Sequence, residues 1–194
     1  MAAVMSEVLA KGVSFLYART YIVAKYVQET WEKVVRSMPP ESMEIWAHSL
    51  LATNEYPFTA FKDMIYSLAS ALKTAKDAEL AAIYEYIADQ SLNKMYKIFF
   101  RLAHPSFVIK NYPSLWKMFF NAGTVEVPVA EKEHAIVRFL LPEIFNDWLP
   151  PACLGYSKKA VEMAGGSRLT MARVSRGKKG EDLWETVYEL RWTE

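Results

Sequence analysis

The fold is decided close to the C-terminus by one stretch, LWETVYELRW at residues 183–192. Mostly apolar and aromatic side chains occupy alternate positions in it, and charged side chains fill most of the positions between them. This period of two predicts a β-strand with one buried and one solvated face. The predicted buried face consists of Trp184, Thr186, Tyr188, Leu190 and Trp192, and the other face carries Glu185, Glu189 and Arg191.

A second alternating segment, residues 168–175, precedes this strand. The residues between them, 176–182, include two glycines and several charges, which is typical of a solvated turn, so we predict an antiparallel hairpin. Basic side chains around the loop are offset by two acidic ones, which favours a solvated tip over a nucleic-acid contact. The basic residues are Arg173, Arg176, Lys178 and Lys179, and the acidic ones are Glu181 and Asp182.

Most of the chain before residue 123 has the apolar periodicity of amphipathic helices. Prolines and capping residues divide its first part into predicted helices, of which the last is expected to be the central one. These helices cover residues 13–38, 40–51, 59–73 and 77–102. His104-Pro105-Ser106 and Tyr112-Pro113-Ser114 each predict the start of a short helix, and Gly123 predicts the C-cap of the second.

Valine alternation at residues 124–129 and the run 134–141 predict a second hairpin. Pro128 either places the first strand at a sheet edge or confines it to the residues before the proline. A last helix is predicted at 143–163, interrupted by Pro150-Pro151. Helices followed by an antiparallel sheet of about four strands predict an α+β fold, with N-terminal helices packed on a C-terminal sheet. We expect residues 1–194 to form a single domain.

Composition excludes several function classes. The formal charge is +1, so no overall field favours nucleic acid. Cys153 is the only cysteine, which excludes an intramolecular disulfide and multi-cysteine metal sites. The N-terminus does not resemble a secretory signal, and the longest uncharged run is too short for a membrane span of about 20 residues. We therefore expect a soluble cytoplasmic protein.

No catalytic or metal-binding pattern is present in the sequence. His48, His104 and His134 lack the spacing of a helical metal pair, and no glycine-rich phosphate loop joins a strand to a helix. His104 is the best placed for a single axial haem ligand, but His104-Pro105 is also typical of an ordinary turn, which is the favoured interpretation. Cys153 is interpreted as a small buried side chain rather than a nucleophile, in spite of Lys158 and Lys159 nearby. The sequence predicts a protein that is not an enzyme, and it specifies no cofactor.

Aromatic residues make up 14% of the chain, and many of them lie between residues 84 and 120 or 184 and 192. Aromatic side chains line pockets for small apolar ligands, although they also fill ordinary cores. The leading hypothesis is a non-catalytic, sensor-like regulatory domain that binds an apolar small molecule. The predicted ligand-binding residues are Tyr84, Phe99, His104, Tyr112, Trp116, Phe119, Phe120 and Tyr188. The alternative is a protein-interaction scaffold without a small-molecule site, which dimerises through apolar residues of the first helix.

The order of these features resembles a known superfamily. The resemblance rests on six features: the early step Asn54-Glu55-Tyr56-Pro57, residues 98–107, the step Tyr112-Pro113-Ser114-Leu115-Trp116, Gly123 with its valines, the glycines 155, 165 and 166, and the closing strand. Together they look like the 4-vinyl reductase and haem-NO-binding-associated superfamily, nearest to an uncharacterised bacterial family best represented in myxobacteria. The resemblance implies a TRAPP-like α+β fold, often homodimeric, with a pocket between helices and sheet and a sensing or assembly role.

Two departures from that superfamily argue against metal or haem. Related metal-binding members have cysteines near the terminal hairpin, where this chain has Arg173, Ser175 and Trp184. The haem-domain pattern Tyr-x-Ser-x-Arg is approached at residues 112–117 but lacks its arginine, because Trp116 stands at that position and Lys117 follows it.

Overall fold

A computed structural model describes residues 7–96 and 104–194, apart from the side chains of residues 94–96. The chain divides into two compact units. The first comprises the chain up to Lys76 together with Phe119–Ala122, and the second comprises Asp77–Met118 and Gly123–Glu194. That the two units behave as one folding domain stays a prediction.

The first unit consists of three helices and a small two-stranded sheet. Its elements are β1 (Leu9–Lys11), α1 (Gly12–Arg36), α2 (Pro40–Ala47), β2 (Glu55–Pro57) and α3 (Phe58–Leu72). Strands β1 and β2 pair antiparallel, and the sequence patterns did not predict either of them. The three predicted helices are present, and Val27 interrupts α1 with a non-helical backbone (φ 65°, ψ 165°).

Helix α2 ends at Ala47, earlier than the predicted residue 51, because the following residues serve the start of α1. The amide of Gly12 donates to the Asn54 carbonyl at 2.8 Å, and that of Val13 donates to the Ala52 carbonyl at 3.1 Å. The first amides of a helix have no partner within it, so these carbonyls cap α1. The apolar periodicity of α2 could not predict that the residues after it cap a different helix.

The second unit contains four helices, a 3-10 turn and a four-stranded antiparallel sheet. Its elements are α4 (Lys76–Tyr96, which begins one residue before the unit), α5 (Pro105–Lys110), α6 (Tyr112–Phe119, which ends one residue beyond it), β3 (Thr124–Ala130), β4 (His134–Pro142), the 3-10 turn Glu143–Phe145, α7 (Leu149–Met163), β5 (Ser167–Lys178) and β6 (Leu183–Thr193). The strand order β3-β4-β6-β5 confirms the predicted α+β fold with a sheet of about four strands. Pro128 lies in an edge strand, as predicted. The end of the predicted central helix, residues 97–102, lies outside the described residues.

Three local predictions need correction. The hairpin loop is shorter than predicted, because Arg176, Gly177 and Lys178 extend β5 by pairing with β6. Pro150-Pro151 lie in the first turn of α7 rather than interrupting a longer helix, since a proline there sacrifices no intrahelical hydrogen bond. Gly123 has φ +82° but follows the end of α6 by four residues, so it leads into β3 and is not a helix cap.

The two faces of the sheet differ as the alternation predicted. We call the face that carries Val137 and Phe139 of β4 and Tyr188 and Leu190 of β6 the inner face, since these side chains are buried. The opposite, outer face carries Arg138, Glu185, Glu189 and Arg191. Helix α7 packs against β5 and α5, and α5 packs against β3 and β4. No helix in residues 7–96 and 104–194 is long and apolar enough to cross a membrane.

Candidate functional site

Trp116 of α6 is the centre of an aromatic cluster in the second unit. Its ring centroid lies 5.3 Å from that of Phe145, 5.9 Å from that of Phe139 and 6.2 Å from that of Trp148. These partners come from the 3-10 turn, from β4 and from the residue before α7. One side chain therefore connects a helix, a strand and the start of a second helix.

Two tyrosines extend this cluster in opposite directions. Tyr84 of α4 meets Trp148 edge-on, with ring centroids 5.0 Å apart, and Tyr188 of β6 meets Phe139 at 6.0 Å. Tilted and edge-to-face pairs at these separations are favourable beyond the area they bury. The cluster, defined as Tyr84, Trp116, Phe139, Phe145, Trp148 and Tyr188, is buried throughout, with no member more than 8% exposed.

A chain of buried hydroxyl and thiol groups lies in the same unit. The Tyr112 hydroxyl donates to Ser157 Oγ at 2.8 Å, and Cys153 Sγ lies 3.8 Å from the same oxygen. The ring of Tyr112 meets that of Tyr156 at 6.0 Å, and the Tyr156 hydroxyl lies 3.5 Å from Ser91 Oγ. Ser157 is fully buried, so its hydroxyl depends on these side-chain partners.

Burial keeps these groups neutral. It raises the pKa of Tyr84 and of Tyr112 well above the ordinary value for tyrosine. Burial also raises the pKa of Cys153 to about 12, and burial together with the nearby Cys153 thiol raises the pKa of Tyr188 to about 12. At neutral pH the region therefore offers apolar surface and hydroxyl groups, but no thiolate. Cys153 is buried, as predicted.

Apart from His104, the predicted site residues separate into three groups. Tyr84, Trp116 and Tyr188 are members of the cluster, and Tyr112 joins the hydroxyl chain beside it. Phe119 and Phe120 belong to the first unit, where Phe120 packs edge-on against Phe58 at 5.5 Å. Phe99 lies outside the described residues.

The sequence-based site also omitted three members of the cluster. Phe139 could have been found from the alternation of its strand, because it stands on the apolar side with Val137. Phe145 and Trp148 follow that strand in a segment without clear periodicity, and only the packing of the 3-10 turn brings them to Trp116.

His104 does not face the cluster. Its Nδ1 accepts from the Ser106 amide at 3.3 Å, which caps α5, and its Nε2 contacts the carboxylate of Glu194. His48 lies 2.7 Å from the Glu44 carbonyl through Nδ1, and His134 lies 3.1 Å from Glu189 through Nε2. Within the described part of the chain, no group of three or more His, Cys, Asp or Glu side chains could hold a metal ion.

No protein-family model and no curated protein matches the sequence. Solved structures do match, and the following three are H-NOX proteins. A variant of the Fe(II) unliganded H-NOX protein from K. algicida has 15% identity and a TM-score of 0.71, covering 95% of this chain and 97% of that one. A variant of T. tengcongensis H-NOX has 10% identity and a TM-score of 0.70, over 95% and 98% of the two chains.

The third is an oxygen-binding H-NOX domain related to soluble guanylate cyclases, with 7% identity, a TM-score of 0.69 and 95% coverage of both chains. These likenesses establish the fold. The resemblance to the 4-vinyl reductase and haem-NO-binding-associated superfamily, with its TRAPP-like fold, is therefore wrong. Aromatic-proline steps and helices before a sheet also fit an H-NOX fold, so those patterns could not separate the two.

The fold raises the question of haem, and the described side chains do not fit it. All three histidines and the single cysteine are within the described residues. His104 has both ring nitrogens engaged, His48 is exposed, and His134 is held against Glu189 on the outer face of the sheet. The Cys153 thiol, with its pKa raised to about 12, is a poor source of a thiolate ligand. Tyr112 directs its hydroxyl to Ser157, while Ser114 and Lys117 are exposed.

Proposed function

We propose that this protein is a non-catalytic regulatory domain of the sensor type, which binds an uncharged and largely apolar small molecule at the aromatic cluster of its second unit. The observation that carries the proposal is the position of Trp116, which contacts aromatic rings from three other parts of the unit. The H-NOX fold supports the proposal, because one of the matched proteins is described as binding oxygen. The proposal involves no haem.

The cluster suits an apolar ligand because it combines a large aromatic surface with few polar groups. Small-molecule sites are mostly apolar, and a few hydrogen-bonding groups orient the ligand. Tyr84 and Tyr112 supply hydroxyl groups of this kind, and burial keeps them protonated. A charged ligand would lose its hydration without an opposite charge to compensate for it, so the expected ligand is neutral.

The same arrangement accounts for a regulatory role. A ligand that displaces or rotates the Trp116 ring changes the packing of β4, of the 3-10 turn and of the start of α7 together. Packed cores change between discrete arrangements rather than deforming continuously, so binding at one ring is transmitted to several elements. The ligand shifts the population of states only through its different affinity for each of them.

Titration with the uncharged apolar dye N-phenyl-1-naphthylamine tests the proposal, with dye fluorescence as the measurement. We expect saturable binding, weakened about tenfold by Trp116→Phe, since a ring contact of this kind is worth about 0.5–1.5 kcal/mol beyond the area it buries. The matched control is Trp46→Phe, which makes the same change in the first unit and should alter the affinity less than twofold.

Hydrogen exchange with and without the dye supplies a second readout. Protection should increase in α6, β4 and the start of α7. Absence of saturable binding, or equal weakening by both substitutions, would overturn the proposal.

A further inference from the structure

The register of the β5–β6 hairpin places three basic side chains on the inner face of the sheet. Arg173 pairs with Tyr188, Arg176 with Thr186 and Lys178 with Trp184, and residues paired across antiparallel strands share a face. Arg173 and Arg176 are three residues apart, which would put them on opposite faces of a regular strand. The register shift between Arg173 and Ser175 adds one residue and restores them to the same face.

The acidic residues of β6 point the other way and are already paired on the outer face. Glu185 contacts Arg138 at 3.8 Å and Lys179 at 3.1 Å. Glu189 contacts Arg191 at 2.7 Å, and the hydrogen bond from Arg191 lowers its pKa. Positive and negative charges nearly cancel along the hairpin sequence. In the structure the three cations lie on the inner face, and Glu185 and Glu189 lie on the outer face.

The three inner-face cations, Arg173, Arg176 and Lys178, have no carboxylate within 4.0 Å in the described part of the chain. The stretches that are not described, 1–6 and 97–103, contain no aspartate or glutamate, so every acidic residue has been considered. All three cations are exposed. They form a row of like charges on an edge strand, which costs repulsion unless an anion neutralises it.

An uncommitted hydrogen-bond donor lies beside this row. The indole Nε1 of Trp184 is buried and makes no hydrogen bond, although Trp184 itself is only half-buried. The guanidinium of Arg176 lies 4.5 Å from the centroid of the Trp184 ring. A buried indole N–H without a partner is unusual and calls for an acceptor.

We propose that Arg173, Arg176 and Lys178, with Trp184 at their side, form a binding site for a small molecule that carries a diphosphate group. Same-face positions on a strand are about 6.6–6.8 Å apart, so the row extends over about 13 Å. An anion with two adjacent charged groups matches this length better than a single carboxylate. The guanidinium groups provide forked donors suited to phosphate oxygens.

This site is independent of the apolar ligand proposed for the aromatic cluster, because a hydrated diphosphate would not enter a buried apolar interior. Titration with inorganic pyrophosphate, and with ADP, followed by calorimetry at low and at physiological ionic strength, is the test. The test variant combines Arg173→Gln, Arg176→Gln and Lys178→Gln. The matched control combines Arg138→Gln, Lys179→Gln and Arg191→Gln, which removes the same charge from the outer face of the same sheet.

Wild-type protein should bind pyrophosphate, the inner-face variant should lose at least tenfold in affinity, and the outer-face variant should change less than twofold. Trp184→Phe, which removes the indole N–H but keeps a ring for Arg176, should weaken binding about threefold to tenfold. Circular dichroism and thermal melting verify that each variant folds.

Three outcomes would overturn the proposal. The first is no binding of pyrophosphate or ADP by the wild type. The second is equal weakening by both triple variants, which would indicate only the net charge. The third is binding to vesicles of phosphatidylserine and phosphatidylcholine, or to single-stranded RNA, which the inner-face variant loses. In this outcome pyrophosphate does not displace the vesicles or the RNA.

Discussion

Both units have aromatic cores, but the polar atoms of these cores have different partners. In the first unit, Trp46 lies between Phe15 at 4.8 Å and Trp31 at 5.2 Å, and its indole Nε1 donates to the Ala60 carbonyl at 2.8 Å. The Tyr56 hydroxyl in turn accepts from the Leu51 amide at 2.9 Å. These ring atoms are tied to backbone groups, which cannot turn away without disturbing the chain.

In the second unit, two such groups are not tied to the backbone. Tyr112 bonds to Ser157, and the Trp184 indole nitrogen has no partner. A side-chain hydroxyl can rotate to a new partner at little cost, whereas a backbone carbonyl is fixed by its element. The comparison teaches that aromatic density alone does not mark a site. The partners of the polar ring atoms distinguish the core of the first unit from the one for which we propose a ligand.

The largest expected effect comes from removing the central indole of each core. Trp46→Ala and Trp116→Ala should each lower the free energy of unfolding by about 3–5 kcal/mol. About 1 kcal/mol of the loss in Trp46→Ala should come from the hydrogen bond to Ala60, which this substitution removes. Urea unfolding followed by far-ultraviolet circular dichroism and by tryptophan fluorescence measures both. Coincident transitions would support the predicted single domain, and a loss well below about 3 kcal/mol in either variant would contradict the expected role of its indole.

Alkaline pH should act on the second unit. The folded pKa of Cys153 is about 12, above its unfolded value of about 8.5–9, so the neutral thiol is favoured by folding. The stability contribution is complete below pH about 8.5 and is lost as the pH rises through 12, by about 1.4 kcal/mol for each pH unit. Tyr112 adds to the loss above its unfolded value of about pH 10.

Stability measured by urea unfolding at pH 8, 9 and 10 tests this prediction, with buffers of constant ionic strength. Cys153→Ala should flatten the decline between pH 8 and 9, where tyrosines in the unfolded chain have barely begun to ionise because their pKa is about 10. An unchanged slope in this variant would show that the loss arises elsewhere.

The smallest expected effect comes from removing a tyrosine hydroxyl, which bonds to a side chain in Tyr112 and to a backbone amide in Tyr56. Tyr112→Phe leaves the fully buried Ser157 hydroxyl with only the distant Cys153 sulfur, and should cost about 1–3 kcal/mol. Tyr56→Phe removes an acceptor from the amide of exposed Leu51, which water can replace, and should cost about 0.5–1 kcal/mol. The double variant Tyr112→Phe with Ser157→Ala should recover part of the loss, since it removes the orphaned hydroxyl. Thermal unfolding of the three variants measures these losses. A larger loss of stability in Tyr56→Phe than in Tyr112→Phe would contradict the prediction.

The sequence predicted the helices, the four strands and the face of β6 that is buried. These follow from periodicity, which local sequence carries. It did not predict Phe145 or Trp148 as partners of Trp116, because a 3-10 turn has no lasting period. It grouped Phe119 and Phe120 with Trp116 by proximity in the chain, although α6 ends there and the two phenylalanines join the first unit.

In the LWETVYELRW strand, some features follow from the sequence and others only from the tertiary structure. The sequence by itself determined which side chains of this strand share the inner face, because alternation depends only on the geometry of one strand. Only the tertiary structure decided which charges lie beside it. Pairing and the bulge near Val174 turn Arg173, Arg176 and Lys178 to the inner face, and Glu185 and Glu189 remain on the outer one. Register depends on contacts between strands, so charges that cancel along the chain become separated in space.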